Sequence, residues 1–395
     1  MKIIIKNCLV LLLLLTWFAA NPQIVFSAPS ADSQRIALLL PLQGVYGESG
    51  QSIRDGFLAA FYQSLSYDSN PPTIQIIDTS AGNVVALYKQ AITQRASMVV
   101  GPLSKEQALQ LIQAPLPIPT LVLNTLSIPQ NINNLYQLAL APEVEAKQVA
   151  DKAYQDGKRT AVIVAPNDEW GARVAQAFLS EWAQLGGKVA GQTYYGEPNG
   201  LATQVSQLLH VDQSEQRSKD LKKILNQTNM RTIPYRRQDF DIIFLAAQPE
   251  MARQIRPLFN FYYASNIPIY ATSHIYSGTP NPQLDQDLNG VKFCAMPWLI
   301  DQEKLPSILQ ADFRSIQFNF PQEMQKQPQL FALGVDSYYL AQQILSKRLV
   351  RENQGATGIL KFQSDRKWLR ELDWAQIVDG KPVLIANEKT DRPAS

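Results

Sequence analysis

The fold is decided by the stretch from Arg236 to Ile300, RRQDFDIIFLAAQPEMARQIRPLFNFYYASNIPIYATSHIYSGTPNPQLDQDLNGVKFCAMPWLI. Three short apolar runs in it, DIIFLAA (241–247), IPIYATS (267–273) and GVKFCAM (290–296), are typical of buried parallel strands. Between the first two, residues 248–264 carry apolar side chains at helical spacing. This order of strand, helix, strand, loop and strand predicts a parallel α/β sheet.

The sequence before this stretch contains two sets of alternating strands and helices. From Arg35 to Leu140, five apolar runs are joined by helical or loop segments of the length that parallel strands need. The pattern then starts again with a helix at Val144 and continues through the quoted stretch. Two such sets in tandem predict an α/β, two-lobed type I periplasmic-binding-protein-like fold with two doubly wound parallel sheets.

In that fold the chain crosses three times between the lobes, and we place the crossings near Ala141, Ser273 and Arg351. Lobe 1 is therefore expected to contain residues 32–141 and 273–350, and lobe 2 to contain residues 142–272 and 351–395. In lobe 2 a charged helix from Ser214 to Leu225 is expected to turn Leu221 and Ile224 inward, because their spacing fits one helix face.

The first 30 residues are predicted to be a cleavable signal peptide. Lys2 and Lys6 form a basic start, residues 8–20 form a largely apolar core, and residues 25–28 offer a small-residue cleavage zone. The apolar core is shorter than the roughly 20 residues of a membrane-spanning helix. Cys8 stands at the start of the core and not after it, so the sequence predicts export to the periplasm without a lipid-attachment motif.

Composition argues against several classes of function. The whole chain has a net charge of +2, and the predicted leader holds two of its lysines and no acid, so the remainder is neutral. A neutral chain gives no indication of binding to nucleic acid or to a membrane surface. Cys294 is the second of two cysteines and lies inside an apolar run, so we expect it to be a buried core residue and not half of an internal disulfide.

Motifs for catalysis or cofactor binding are not found in this sequence. It contains no G-x-S-x-G elbow and no phosphate-binding P-loop, and its two histidines, His210 and His274, lack partners at metal-ligand spacing. We therefore expect no catalytic residue, no metal and no cofactor. One enzymatic alternative stays open. A glycan-processing enzyme needs two facing carboxylates, and Asp168, Glu169 and Asp241 could supply such a pair. Helix capping and exposure to solvent explain these acids more simply.

Candidate ligand positions follow from the fold, because ligands of open α/β sheets bind at the carboxyl ends of the strands. Ser104 could expose helix amides to a carboxylate, or could only cap its helix. Trp170 could stack on a ligand or fill the gap between the lobes. The candidates are Gln43, Gly44, Gly101, Ser104, Asn124, Thr125, Asn167, Trp170, Ser273 and His274.

Sequence motifs spread over nearly all of residues 35–384 resemble those of one family. The markers are RIALLLPL at Arg35, GPLSKE at Gly101, NDEWGARVAQAF at Asn167, the long stretch quoted first, and FALGVDSYYLAQQ at Phe331. They resemble the LppC/LpoA family, the periplasmic activators of class A penicillin-binding proteins. Larger members of that family carry a helical-repeat domain ahead of this module and are usually lipoproteins, and we expect neither feature in this chain.

The resemblance implies a periplasmic binding protein that docks on a class A penicillin-binding protein and raises its peptidoglycan synthesis without catalysis of its own. The alternative is a periplasmic substrate-binding protein that captures a small, amino-acid-like ligand between its lobes. Convergent polar groups in an open cleft would favour the alternative, whereas a cleft filled by side chains would oppose it.

Overall fold

The computed structural model describes residues 34–80, 82–128, 132–196, 198–226 and 231–385. The predicted signal peptide lies outside the described residues. The amino-terminal part builds a first sheet and its helices, which are β1 (Arg35–Leu40), α1 (Gly47–Ser64), β2 (Thr73–Asp78), α2 (Val84–Thr93), β3 (Met98–Val100), α3 (Lys105–Leu111), β4 (Thr120–Val122) and β5 (Leu135–Gln137). The five strands are all parallel, in the order β2-β1-β3-β4-β5.

The middle of the chain builds a second sheet. Its elements are α4 (Pro142–Gln155), β6 (Thr160–Pro166), α5 (Glu169–Gln184), β7 (Lys188–Tyr195), α6 (Leu201–Leu208), α7 (Val211–Ile224), β8 (Ile242–Leu245), α8 (Pro249–Phe261) and β9 (Ile269–Ala271). Residues 161–165 of β6 and all residues of β8 are at most 1% exposed, which explains why these strands are continuous apolar runs in the sequence.

The remaining elements return to both sheets. They are α9 (Pro282–Asp285), β10 (Lys292–Ala295), α10 (Pro297–Ile300), α11 (Ser307–Asn319), α12 (Pro321–Lys326), α13 (Pro328–Leu345), β11 (Glu352–Gly355), β12 (Gly358–Phe362), β13 (Trp368–Glu371), β14 (Asp373–Val378) and β15 (Lys381–Leu384). The second sheet has seven strands in the order β15-β14-β10-β9-β8-β6-β7, and β14 and β15 are added antiparallel at one edge.

The expected α/β architecture with two mainly parallel sheets is thus confirmed, although the seven-stranded sheet has two antiparallel strands at one edge. Strand pairing corrects part of the expected division into lobes. Strand β10 was expected in lobe 1, and it pairs in parallel with β9, so it belongs to the seven-stranded sheet. An apolar run predicts a buried strand but does not identify its neighbour, and the connection from 272 to 291 can reach either sheet. The expected crossings near Ala141 and Arg351 remain predictions.

A third sheet of three antiparallel strands, β11-β12-β13, stands apart from the two large ones. The sequence predicted that residues 357–362 would return to lobe 2, whereas they form the middle of this small sheet. Just before β13, the carbonyl of Arg366 accepts a hydrogen bond from the backbone amide of Gln137 at 3.1 Å, and β13 is followed at once by β14 of the seven-stranded sheet. The small sheet therefore connects the two large sheets.

Two glycines allow α1 and α13 to approach each other closely. A Cβ atom on Gly56 would lie 2.2 Å from the carbonyl oxygen of Phe331, and one on Gly334 would lie 2.2 Å from that of Ile53. Beside this contact the ring of Phe57 meets Tyr338 edge-on at 5.3 Å between centroids. Helix α13 thus packs on the first lobe, and it lies within the range 273–350 that the sequence analysis assigned to lobe 1.

Burial confirms one core assignment and overturns another. Cys294 is completely buried and has no disulfide partner among the residues that the structure describes. In α7, however, Leu221 is 45% exposed and Ile224 is 78% exposed, so the expectation that both turn inward is wrong. Val211 at the start of α7 is buried instead, because the helix contacts the body of the lobe there and leaves its other end in solvent.

Candidate functional site

Six of the candidate residues lie at one edge of the five-stranded sheet. Strands β1, β3 and β4 are parallel neighbours, so the loops that follow them meet at the same edge. The side-chain amide of Asn124 donates to the carbonyl of Leu103 at 3.0 Å and thus ties two of these loops together. The group consists of Gln43, Gly44, Gly101, Ser104, Asn124 and Thr125.

Local structure already explains much of this first group. The Ser104 hydroxyl accepts a hydrogen bond from the Gln107 amide at 3.1 Å, so it is the N-cap of α3. Gly101 has a φ of +106°, and a Cβ atom there would lie 2.0 Å from the carbonyl oxygen of Leu39. Asn124 accepts from the backbone amide of Thr125 at 2.9 Å. A ligand role for these residues remains a prediction.

The loop that follows β1 is held by hydrogen bonds at its start and is exposed to solvent at Gly44 and Val45. Asp78 accepts from the Leu42 amide at 2.9 Å and from the Gln43 side chain at 3.4 Å. Gly44 has a φ of +73° and no atom within 4 Å of an added Cβ, and Val45 beside it is 96% exposed. This loop is therefore the most accessible part of the predicted ligand edge.

The other four candidates lie at the matching edge of the seven-stranded sheet, after β6 and β9. Asp168, and not Asn167, caps α5, because its carboxylate accepts from the Gly171 amide at 2.6 Å. The ring of Trp170 lies 5.1 Å from the ring of His274. Among the described residues, no hydrogen bond joins this group, which consists of Asn167, Trp170, Ser273 and His274, to the group on the five-stranded sheet.

The structure places a buried glutamate, which the sequence analysis missed, at the centre of this second group. Glu145 on α4 is 1% exposed and accepts from Ser273 twice, from its amide at 3.1 Å and from its hydroxyl at 2.7 Å. Its other oxygen accepts from the Arg370 guanidinium at 3.2 Å. The Nδ1 atom of His274 lies 3.6 Å away, beyond direct hydrogen-bond distance. We call Glu145, Ser273, His274 and Arg370 the crossing cluster.

Arg370 connects this cluster to three parts of the chain. Besides Glu145, it donates to the carbonyl of Ala139 at 3.0 Å and to that of Thr357 at 3.3 Å. Ala139 lies in the segment that leaves the five-stranded sheet, and Thr357 lies in the small third sheet between β11 and β12. The cluster therefore joins α4, the segment that follows β5 and the small sheet.

The charge of Glu145 is strongly stabilised in this setting. Burial by itself raises the pKa of a carboxyl group, but the nearby His274, the Arg370 guanidinium and the Ser273 hydroxyl outweigh it and lower the pKa of Glu145 to about 2. A carboxylate with such partners remains ionised at any physiological pH. A pKa of about 2 is far from the neutral range in which general acids and bases work best.

A second buried carboxylate joins α13 to the small sheet. Asp336 is 2% exposed and accepts from the amides of Ala356 and Thr357 at 2.7 and 2.8 Å and from the Thr357 hydroxyl at 2.6 Å. Burial raises its pKa to about 6 against the opposing effect of these bonds. A cavity of about 200 Å³ lies beside it, which is below the size of ordinary small-molecule sites.

Signals for the crossing cluster are visible in the sequence once its geometry is known. Glu145 is in helical register with Val149 and Ala153, so a carboxylate interrupts an otherwise apolar stripe. Arg370 alternates with exposed Leu369 and falls on the inward face with Trp368. A charge on a buried face needs a partner, but neither pattern identifies a partner more than two hundred residues away.

Neither a metal site nor a membrane-spanning helix is found within the described ranges. No group of three or more histidine, cysteine, aspartate or glutamate side chains there could hold a metal ion. No helix in those ranges has both the length and the apolarity that crossing a membrane requires.

Curated relatives with the same domain are penicillin-binding protein activators. The protein of that name, LpoA, from Vibrio antiquarius is 28% identical over 384 residues, which cover 91% of this chain and 62% of the relative. The Photobacterium profundum protein is 27% identical, with 91% of this chain and 60% of the relative covered. The chain thus spans about three fifths of the length of these curated relatives.

Solved structures agree with the sequence comparison. The C-domain of LpoA (YraM) from Haemophilus influenzae, described as a regulator of PBP1A, is 26% identical with a TM-score of 0.65, and 89% of this chain covers 100% of that domain. A putative branched-chain amino acid ABC transporter protein from Rhodospirillum rubrum shares the fold at 15% identity with a TM-score of 0.67. The fold expected from the sequence is therefore confirmed.

The family comparison identifies the same family as the sequence motifs. The profile of the family described as LppC putative lipoprotein matches residues 20–380. This range contains the five-stranded sheet, the small sheet, the crossing cluster and every strand of the seven-stranded sheet except β15. The resemblance inferred from the sequence is confirmed. The chain belongs to the LppC family.

Proposed function

We propose that this chain is a periplasmic, non-catalytic binding module that docks on a class A penicillin-binding protein and raises its peptidoglycan synthesis. The observation that carries the proposal is the similarity to the whole Haemophilus influenzae LpoA C-domain, a regulator of PBP1A, at 26% identity. Relatives named as activators of penicillin-binding proteins over 91% of this chain support it further.

The geometry of the lobe crossing supports docking over capture of a small ligand by lobe closure. Closure needs segments between the lobes that change their backbone angles freely. Here one crossing segment is held by Arg370 through Ala139, and another is held by Asp336 through Ala356 and Thr357. Buried charges that hold the crossing segments favour a protein with one preferred arrangement of its lobes.

The mechanism that fits such a module is a coupling free energy. A protein that binds the active conformation of the synthase more tightly than the inactive one raises the active fraction. This requires no nucleophile, metal or cofactor in the activator. No nucleic acid is involved in the proposal.

The test is a reconstituted synthesis assay with a purified class A synthase, lipid-linked precursor and this protein. We expect a saturable rise in glycan polymerisation or crosslinking with added protein, together with direct binding. An unchanged rate with no detectable binding would reject the proposal. Release of product from finished glycan by this protein alone would reject its non-catalytic part and favour a glycan-processing enzyme.

A second candidate is a substrate-binding protein for a small amino-acid-like ligand. The contact between Trp170 and His274 favours it, because it places an aromatic side chain and a polar ring together at the ligand edge of the seven-stranded sheet. A ligand that binds the folded state raises the apparent thermal stability. A rise in melting temperature with a free amino acid, lost in Trp170→Ala, would support this candidate.

A further inference from the structure

The carboxyl-terminal half of α7 presents apolar side chains to solvent. Ile224 is 78% exposed, and Leu221 and Leu225 are 45% and 49% exposed. Their spacing of three and four residues places them on one side of the helix. A surface helix of a globular domain normally turns such a stripe toward the core, so a stripe in solvent indicates an interaction surface.

The segment after α7 extends this apolar surface. It runs back along the helix, because the Tyr235 amide donates to the Ser214 hydroxyl at 2.9 Å and Ser218 bonds to Thr232. Its side chains alternate in exposure, so that Ile233 and Tyr235 point outward at 72% and 64% exposure.

The surface then continues to the end of α8. Arg236 is 6% exposed and lies under the segment, and its Nε atom donates to the carbonyl of Tyr263, which is itself half exposed. Hydrogen bonds thus join the helix α7, the extended segment and the end of α8 into one surface. We call it the basic apolar patch, and its apolar members are Leu221, Ile224, Leu225, Ile233, Tyr235 and Tyr263.

Positive charge surrounds these side chains. Residues 217–226 and 231–235 contain five cations and one acid, Asp220, while the two other acids of α7, Asp212 and Glu215, lie in its first half. None of the five cations takes part in an ion pair with another residue that the structure describes. The cations are Arg217, Lys219, Lys222, Lys223 and Arg231. Exposed apolar and aromatic side chains among unpaired lysines are the composition of helices that lie on anionic membranes.

We infer that the basic apolar patch binds the surface of an anionic phospholipid bilayer. Its aliphatic side chains would insert between the lipid headgroups, its tyrosines would lie at the headgroup level, and its lysines and arginines would neutralise lipid phosphates. An acidic groove on a protein fits less well. Groove recognition uses one face of one helix, whereas this patch spans a helix, an extended segment and the end of another helix.

The position of the patch agrees with this role. Residues 231–240 precede β8, so the patch lies beside the amino ends of the parallel strands of the seven-stranded sheet. Trp170, Ser273 and His274 lie at the opposite, carboxyl edge. Binding to a bilayer therefore leaves the predicted ligand edge free.

The experiment measures partition of the protein, purified from cells that express the full chain, onto vesicles. Phosphatidylcholine vesicles are compared with vesicles that also contain phosphatidylglycerol, at low and high ionic strength. We expect tighter binding to the anionic vesicles and weaker binding at high salt, because exposed charges are screened. Equal binding to both kinds of vesicle would overturn the inference.

Two patch variants identify the surface. Lys219→Gln/Lys222→Gln/Lys223→Gln should weaken partition about a hundredfold, since each cation near an anionic surface contributes on the order of a factor of five. Ile224→Ser/Ile233→Ser should weaken it about tenfold through lost apolar insertion. All five positions lie at the surface, so folding should be retained, which circular dichroism checks.

Matched controls are Phe318→Ser, an exposed aromatic residue on α11, and Lys105→Gln, an exposed lysine on α3. Both should partition like the original protein, and a loss equal to that of the patch variants would overturn the inference. The inference would also be overturned if the patch variants kept vesicle binding but lost binding to a purified synthase in detergent. That result would assign the patch to protein docking. The synthase assay without vesicles tests the proposed function separately.

Discussion

The lobe crossing and the helix interface of the first lobe each bury a carboxylate, and the two groups differ in their partners. Glu145 at the crossing accepts from Ser273 and Arg370 on both of its oxygens. Asp312 on α11 is completely buried and accepts from the Tyr339 hydroxyl at 2.8 Å, while its second oxygen has no partner among the described residues. Burial is similar, so hydrogen bonding and charge decide the protonation state.

The difference has opposite consequences for the two pKa values. Partners lower the pKa of Glu145 to about 2, whereas burial and the charge of Asp336 raise the pKa of Asp312 to about 7 against its single bond to Tyr339. Because the pKa of Glu145 is lowered in the folded protein, its carboxylate stabilises the fold at pH values above 4.5, the ordinary pKa of glutamate. This stabilisation is lost as the pH falls toward 2. The raised pKa of Asp312 has the opposite effect. Its contribution to stability is fully present below pH 3.8, the ordinary pKa of aspartate, and is lost as the pH rises toward 7.

The largest expected effect comes from breaking the pair at the crossing. Arg370→Met should lower the free energy of unfolding by about 3–5 kcal/mol at neutral pH, because it leaves Glu145 buried and charged without its cation. Urea titration measures this. Arg348→Met, at an exposed arginine, is the control and should change little. The double variant Glu145→Gln/Arg370→Met should lose less than the sum of the two single changes, and a fully additive result would contradict the pairing.

A smaller effect with a distinctive pH dependence is expected at Asp312. Asp312→Asn should raise the free energy of unfolding by about 1–3 kcal/mol at pH 8, because it removes a poorly partnered charge. Near pH 4 the advantage should vanish, since the original carboxyl group is then protonated. Urea titrations across this range test it, with Glu106→Gln at an exposed position of α3 as the control. A difference that is constant with pH would mean that Asp312 does not change protonation there.

The Ser273 hydroxyl should contribute less than the arginine. Ser273→Ala removes the 2.7 Å donor to Glu145 but keeps the backbone amide and Arg370, so we expect a loss of about 1–2 kcal/mol. The pKa of Glu145 should rise, and acid unfolding should begin at a higher pH than in the original protein. Acid titration followed by circular dichroism measures this. An unchanged acid transition would show that the hydroxyl is not a significant partner.

The smallest effect on stability is expected at His274, although its ring is the first of the influences that lower the pKa of Glu145. His274→Gln should cost about 0.5–1 kcal/mol or less, because the ring lies 3.6 Å from the carboxylate and its side chain is 27% exposed. Thermal unfolding measures the change, and Trp170 fluorescence reports whether the neighbouring ring moves. A loss larger than that of Ser273→Ala would make His274 the principal partner and would require a new account of the crossing cluster.

Local features of the fold were predictable because local sequence determines them. The three apolar runs named from the sequence, 241–247, 267–273 and 290–296, contain the strands β8, β9 and β10. Sheet membership was less predictable. Strand β10 was predicted as a strand but assigned to the wrong lobe, since its apolar run would fit either sheet.

The candidate site divides in the same way. The expected edge positions follow from strand order, so Trp170, Ser273 and His274 were predicted together and two of them contact each other. Glu145 was missed because its role depends on Arg370, which is more than two hundred residues away in the sequence and comes close only in the folded chain. Ile224 was wrongly assigned inward because helical spacing identifies an apolar face but not what covers it.

The close approach of α1 and α13 at Gly56 and Gly334 affects the order in which the chain can fold. Helix α1 comes early in the sequence and α13 comes after most of the second lobe, so their contact closes a very long loop. Contacts of such high sequence separation slow folding. As the chain leaves a ribosome or an export channel, the first lobe must wait for residue 345 before its core can close. Until then its exposed apolar surface would be a substrate for chaperones.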